Sequence, residues 1–280
     1  MSTTDGSPPD ARDLLRRYEL RPKRAFSQNF LVQPAAIQRI ADATAALGSE
    51  IVEFGPGLGA LTYALLVRGC RVTAVELDRD MVGVLREELA ETEGLDLIEG
   101  DAAGFDLEAH ADSAGEKLVV SGNLPYQATG AILRHVVAHR PVLRGAVLMV
   151  QKEVRDRLVA EPGSKEYGAL TVFTRAGFEV DTLCRLKPGS FHPPPKVESA
   201  VVRLRPRTPP LAEETDAFRT VVRAAFHTRR KTLRNALRQI ATPEAVADAL
   251  VRAEIDPGRR GETLSIPEFA RVAETWPKPR

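Results

Sequence analysis

The 280-residue chain has two cysteines, five histidines and one tryptophan. Cys70 and Cys184 stand apart, with no CxxC spacing and no histidine at metal-ligand distance. That argues against a disulfide frame or a zinc site, so no metal is expected and both thiols read as small core residues. No apolar run approaches the roughly 18 residues of a membrane span, and the opening "MSTTDGSPPD" lacks the basic-then-apolar layout of a secretory signal. A soluble, cytoplasmic protein with no membrane partner is the expectation. Repeats and low-complexity tracts are also missing, and nothing in the composition requires more than a monomer.

Net charge is nearly absent too, at +1, but the balance is uneven. Residues 50–117 hold 5 basic and 16 acidic side chains, whereas residues 221–238 hold 6 basic and none acidic. One half therefore suits a cationic or neutral small molecule, and the other suits a polyanion or a solvated helix face.

From residue 50 to 151 strand-like runs ("EIVEFG", "RVTAVELD", "LDLIEGD", "KLVVSGN", "GAVLMVQ") alternate with helical patterns such as "LGALTYALLVRG" and "RDMVGVLREELAE". This spacing predicts right-handed βαβ crossovers, hence an α/β fold with a parallel sheet. Ligands of such sheets bind beyond the carboxyl ends of the strands. "VDTLCRL" and "SAVVRLRP" read as a closing strand pair. "RPRTPPLAEE", with its prolines, reads as a linker to an all-helical tail. In that tail Thr242 and Pro243 mark a helix start.

Gly55, Gly57 and Gly59 follow the first of these strands, where glycine permits a tight turn and close ligand approach. Gly55, Gly57 and Ala60 also satisfy the dinucleotide fingerprint, so NAD binding is an alternative. Glu76 closes the second strand, where a carboxylate can accept from ribose hydroxyls, and Asp101 closes the third, where it can accept from an adenine amine. These make an adenosine-shaped constellation. The acidic surroundings favour a cofactor bearing a positive sulfonium over one bearing a pyrophosphate.

"SGNLPYQAT" ends the fourth strand. The Asn123 side-chain oxygen and the Leu124 carbonyl offer two acceptors to one NH₂ group, Pro125 removes a competing donor, and Tyr126 offers a face for a base to stack on. Accepting both N–H bonds of an exocyclic amine turns its lone pair toward an electrophile.

"SQNFL", "VEFGPGLGAL", "VELDRD", "GDA", "NLPY", "QKEVRDRL", "SFHPPPKVESAVVRL" and "FHTRRKTLRNAL" follow one another at a spacing that resembles the bacterial small-subunit (16S) rRNA adenine N6,N6-dimethyltransferase family, from about Lys23 onward. The resemblance implies a Rossmann-like class I methyltransferase sheet with a small all-helical C-terminal domain. It implies S-adenosyl-L-methionine as cofactor, enclosed by Asn29, Leu31, Gly55, Gly57, Glu76, Asp101 and Asn123. It further implies Asn123, Leu124 and Tyr126 at the target amine, with Phe191 as a second stacking partner. The implied partner is 16S rRNA within the immature small ribosomal subunit, and the implied products are two adjacent dimethyladenosines in its 3'-terminal hairpin. Residues 1–22 are expected to be a flexible extension, 23–205 the methyltransferase domain and 206–280 a helical RNA-binding domain. Arg223, Arg229, Arg230, Lys231, Arg234 and Arg238, expected as bands on successive helical turns, suit phosphate contacts. Ser27 replaces the family's usual glycine, and "NLPYQAT" its usual "NLPYNIS". Three other readings remain open on sequence: a related large-subunit rRNA methyltransferase, an NAD-dependent oxidoreductase, and a non-catalytic RNA-binding assembly factor.

Overall fold

The computed structural model describes residues 10–23, 26, 28–90 and 92–277. The chain forms two compact units, one of residues 1–155 with 181–205 and the other of 156–180 with 206–280. Its strands are β1 (Phe30–Leu31), β2 (Glu50–Phe54), β3 (Arg71–Glu76), β4 (Leu95–Glu99), β5 (Leu118–Asn123), β6 (Leu143–Gln151), β7 (Phe178–Leu186), β8 (Phe191–His192) and β9 (Ser199–Pro206). Helices α1 (Ala11–Arg17), α2 (Pro34–Ala45), α3 (Ala60–Leu66), α4 (Arg79–Glu88), α5 (Leu107–Ala114), α6 (Thr129–Ala138) and α7 (Lys152–Leu158) precede or alternate with the first six strands. Helices α8 (Ala169–Gly177), α9 (Asp216–His227), α10 (Leu233–Leu237), α11 (Pro243–Arg252) and α12 (Ile266–Glu274) lie in the second unit.

Among the described residues seven strands form one sheet in the order β4-β3-β2-β5-β6-β9-β7. β2 pairs in parallel with β3 and β5, β3 with β4, and β5 with β6, while β9 returns antiparallel to β6. Because helices cover both faces, the inner strands are buried throughout, which is why they read as near-continuous apolar runs. Ile37, Ile40, Leu61 and Leu65 pack with Ile51, Val72 and Val119 in one core. The order reverses between β2 and β5, so the crevice beyond their carboxyl ends is the topological switch point. There β5 and β2 approach closely: a Cβ on Gly122 would lie 2.2 Å from the Phe54 carbonyl oxygen, so only glycine fits.

Three expectations are corrected. Residues 10–22 are not a loose extension. Asp10 caps α1 by accepting from Arg12 N–H, and Ala11, Leu14 and Leu15 are buried with Phe30, Leu58, Met81 and Val84. Residues 1–9 and Ser27 lie outside the described residues. The expected single boundary at residue 205 is one of three, because 156–180 shares a core with the tail: Tyr167, Val172 and Phe173 pack with Phe218, Leu250 and Phe269. The basic stretch is not one helix either, since α9 ends at His227, a turn follows, and α10 starts at Leu233. The start at Thr242 is as expected, its hydroxyl accepting from Ala245 N–H with Pro243 in the first turn. No helix among the described residues is long and apolar enough to cross a membrane.

Candidate active site

A cavity of about 320 Å³ opens at the switch point, and Asn29, Leu31, Gly55, Gly57, Glu76, Asp101, Asn123, Leu124 and Tyr126 all line it. The segment after β2 turns through positive φ at Gly55, Gly57 and Gly59 before α3 begins. At Gly57 a φ of 58° favours glycine, and a Cβ there would also crowd the Phe30 ring at 3.0 Å. The Gly57 N–H donates to Glu76 Oε2 at 3.0 Å, and the Leu77 and Asp78 N–H groups donate to Oε1 at 2.9 Å each. Burial raises the Glu76 pKa and these three backbone donors oppose the rise, so the carboxylate is oriented by the main chain.

Asp101 has two uses. Its Oδ1 accepts from Ala103 N–H at 3.0 Å, capping the short 3-10 turn Ala102–Gly104, and its other oxygen has no partner among the described residues. At the end of β5, Asn123 Nδ2 donates to the Asn29 carbonyl at 2.9 Å. An acceptor at that point selects the NH₂ end of the amide, so Oδ1 is the end left to accept. Leu124 N–H donates to the Met149 carbonyl at 3.1 Å, and the Leu124 carbonyl accepts nothing among the described residues. The Tyr126 hydroxyl lies 3.3 Å from Ser199 Oγ, which steadies the ring at the cavity wall.

Phe191 is the site expectation that the structure does not bring in. It is 3% exposed and packs in the core with Leu31, Ile37 and Leu186, because β8 pairs antiparallel with β1 and places Leu31 opposite Phe191. It does not line the cavity. Glu53, by contrast, was not expected and does line it. It is 1% exposed in β2 and accepts from the Thr62 hydroxyl at 2.7 Å. Burial pushes its carboxyl up to about 7; the Thr62 bond opposes this and the Glu76 charge adds to it. The available signal was a carboxylate inside an otherwise apolar strand, "EIVEF". Gly122, Phe26, Phe30 and Leu77 also border the cavity and were missed.

In the second unit Arg223, Arg230, Lys231, Arg234 and Arg238 are exposed and make no side-chain hydrogen bond or ion pair among the described residues. Arg229 differs from them. Its guanidinium pairs with Glu262 at 2.8 Å and donates to the Ser164 and Lys165 carbonyls, so it is tied into the fold although its side chain is partly exposed.

The described lining carries Glu53, Glu76 and Asp101 and no Lys or Arg. This set suits a cationic adenosine derivative better than one bearing a pyrophosphate, so the residues fit S-adenosylmethionine. A Rossmann-like sheet with such a cavity at its switch point defines a class I methyltransferase. Residues 20–278 match the model of the family described as "Ribosomal RNA adenine dimethylase", and the chain belongs to this family of S-adenosylmethionine-dependent rRNA adenine dimethyltransferases. It is 45% identical over 268 residues to "Ribosomal RNA small subunit methyltransferase A" of Myxococcus xanthus (strain DK1622), covering 93% of each chain. It is 40% identical over 259 residues to the protein of the same name in Pseudomonas aeruginosa PAO1, covering 91% of this chain and 95% of that one. Among solved structures, a dimethyladenosine transferase from Plasmodium falciparum shares the fold, with a TM-score of 0.74 and 24% identity over 87% of this chain and 95% of that one. The 23S rRNA methyltransferase ErmE is similar at a TM-score of 0.65 and 27% identity, over 88% and 99%.

Proposed function

We propose that the protein methylates N6 of two adjacent adenosines in the 3'-terminal hairpin of 16S rRNA, acting as a cytoplasmic monomer on the immature small subunit. The relatives named for the small subunit are 40–46% identical to it, against 27% for the 23S enzyme, which favours the small-subunit substrate. The observation that carries the reading is Asn123, whose NH₂ is engaged by the Asn29 carbonyl, followed directly by Leu124, whose carbonyl accepts nothing among the described residues.

S-adenosylmethionine supplies a methyl already activated by its sulfonium. Glu76 and Asp101 would hold its nucleoside end, and Gly55 and Gly57 would leave the main chain open to it. Asn123 and Leu124 hold the target amine, and alignment of this kind contributes up to roughly 7–11 kcal/mol in well-ordered systems. The Tyr126 face offsets the few kcal/mol needed to unstack the adenine. Phe191 would need to leave its core position to act as a second platform. Arg223, Arg230, Lys231, Arg234 and Arg238 meet RNA phosphates, while Arg229 acts at one remove by bracing the turn that bears Arg230 and Lys231.

The test is incubation with labelled S-adenosylmethionine and small subunits lacking the mark, followed by nucleoside analysis. N6,N6-dimethyladenosine is expected, and Asn123→Ala should nearly abolish it while leaving RNA association largely intact. Undiminished methylation by that variant would reject the site.

A further inference from the structure

The two ends of the cavity are joined through one buried carboxylate that has no direct place in it. Asp78 is 2% exposed and caps α4, its Oδ1 accepting from Asp80 N–H at 3.1 Å. The same carboxylate takes two more donors from the segment before β1. Lys23 Nζ reaches Oδ1 at 2.6 Å and Gln28 Nε2 reaches Oδ2 at 2.7 Å. Gln28 is held at its other end too, because its Oε1 accepts from Lys23 N–H at 2.7 Å. The next residue is Asn29, whose carbonyl fixes the Asn123 amide. On the other side, Asp78 N–H donates to Glu76 Oε1.

We propose that Asp78 is a positioning residue for methyl transfer: by gripping Lys23 and Gln28 it fixes the Asn29 carbonyl, which keeps the Asn123 amide turned with its oxygen toward the target amine. The inference rests on the proposed role of Asn123. An amide is nearly symmetric in shape, so only its hydrogen-bond partners decide which end faces the cavity. If Asn29 drifts, Asn123 can rotate by half a turn and present NH₂ to an NH₂, which abolishes the hold on the amine. Glu76, in contrast, is oriented through the Asp78 main chain, which a side-chain substitution at Asp78 leaves in place.

Asp78→Asn tests this while preserving the helix cap, since Asn caps as well as Asp. Its new NH₂ faces the Gln28 NH₂, so the link is broken by donor meeting donor. We expect kcat for dimethylation at saturating donor to fall about 10- to 100-fold, the range for misplaced reactants, with a smaller rise in S-adenosylmethionine Kd, because Asn29 also lines the cavity while the main-chain grip on Glu76 persists. The double variant Asp78→Asn with Gln28→Glu reverses the polarity of the link and keeps the total charge. The carboxylate introduced at position 28 would accept from both Lys23 N–H and the amide introduced at position 78, and kcat should return to near the parent value. A general loss of stability would not be rescued in this way. If Asp78→Asn fails to fold, Gln28→Leu cuts the same link and should show the same loss of kcat. Unchanged kcat in Asp78→Asn or Gln28→Leu, a loss confined to donor affinity, or failure of the double variant to recover would each overturn the inference. Asn123→Ala assayed alongside separates the two readings: if it is inactive while Asp78→Asn is fully active, only the positioning role falls.

Discussion

Glu53 sits where the fold and the site make opposite demands, and replacing it with Gln exposes the conflict. Its carboxyl is walled in by β2 and its neighbours, takes one hydrogen bond from Thr62, and is pushed up to about 7 by burial. In the unfolded chain it titrates near 4.5. Below 4.5 both states are protonated and the group costs nothing. Between 4.5 and 7 the folded chain holds the proton that the unfolded chain has lost, so stability falls as pH rises, and above 7 the loss is complete. At ~1.4 kcal/mol per pH unit of displacement, the full cost is about 3 kcal/mol. Glu53→Gln keeps an oxygen for Thr62 and removes the titration. The stability difference between variant and parent should therefore grow by about 3 kcal/mol from about pH 4.5 to about pH 8. Trp276, the only tryptophan, belongs to the helical unit, so its fluorescence does not report on the sheet. Denaturation followed by hydrogen exchange in β2 and β5 does. A difference independent of pH, or one that shrinks as pH rises, would refute the argument. The same carboxylate lines the cavity, and on the proposed reading a cationic donor bound there would favour its charged form. Donor affinity in the parent should weaken below about pH 7, and in Glu53→Gln this dependence should be lost.

Gly122→Ala should destabilise the protein by about 3 kcal/mol or more in urea titrations, since its Cβ would fall 2.2 Å from a backbone oxygen that has no room to retreat. Arg229→Ala should lower the melting temperature by breaking the bonds to Glu262 and to the carbonyls of 164 and 165, whereas Arg230→Ala and Lys231→Ala should leave it unchanged and each reduce the salt slope of RNA binding by about 1. Glu268 is held down to about 2, chiefly by its two-point pairing with Arg259 and also by Ser265. It therefore contributes stability above 4.5 that is lost as pH falls toward 2, and Glu268→Gln should flatten that part of an acid titration read from Trp276 fluorescence.

The parallel sheet was legible because buried strands write themselves as short apolar runs, and the glycines and terminal carboxylates mark where each run stops. Most of the cavity lining followed from that, since strand ends share one rim by topology. What escaped depended on partners far apart in sequence. Nothing near Arg229 announces Glu262, 33 residues away. The seven residues of α1 are too few for a periodic signal, and their burial depends on Met81 and Val84 of α4. Helical period shows that α8 buries one face without saying in which core, so its grouping with α9 and α12 was invisible. Phe191 lies in a two-residue strand, and only its pairing with β1 decides which way the ring points.

Two transfers to one nitrogen place changing demands on the amine site, and the wall at the end of β5 meets them by being stripped of donors. The Asn123 NH₂ is spent on Asn29, the Leu124 N–H on Met149, and Pro125 has none to offer. On the proposed reading, only acceptors remain at the amine. The adenine must present its N–H bonds to that wall, which turns its lone pair toward the cavity. After one transfer a single N–H is left, and either the Asn123 oxygen or the Leu124 carbonyl can take it. After two, the nitrogen has nothing to donate and two acceptors are left unsatisfied. The wall that held the substrate then opposes the product and favours its release, while the count of two is set by the nitrogen itself, which has only two hydrogens to lose.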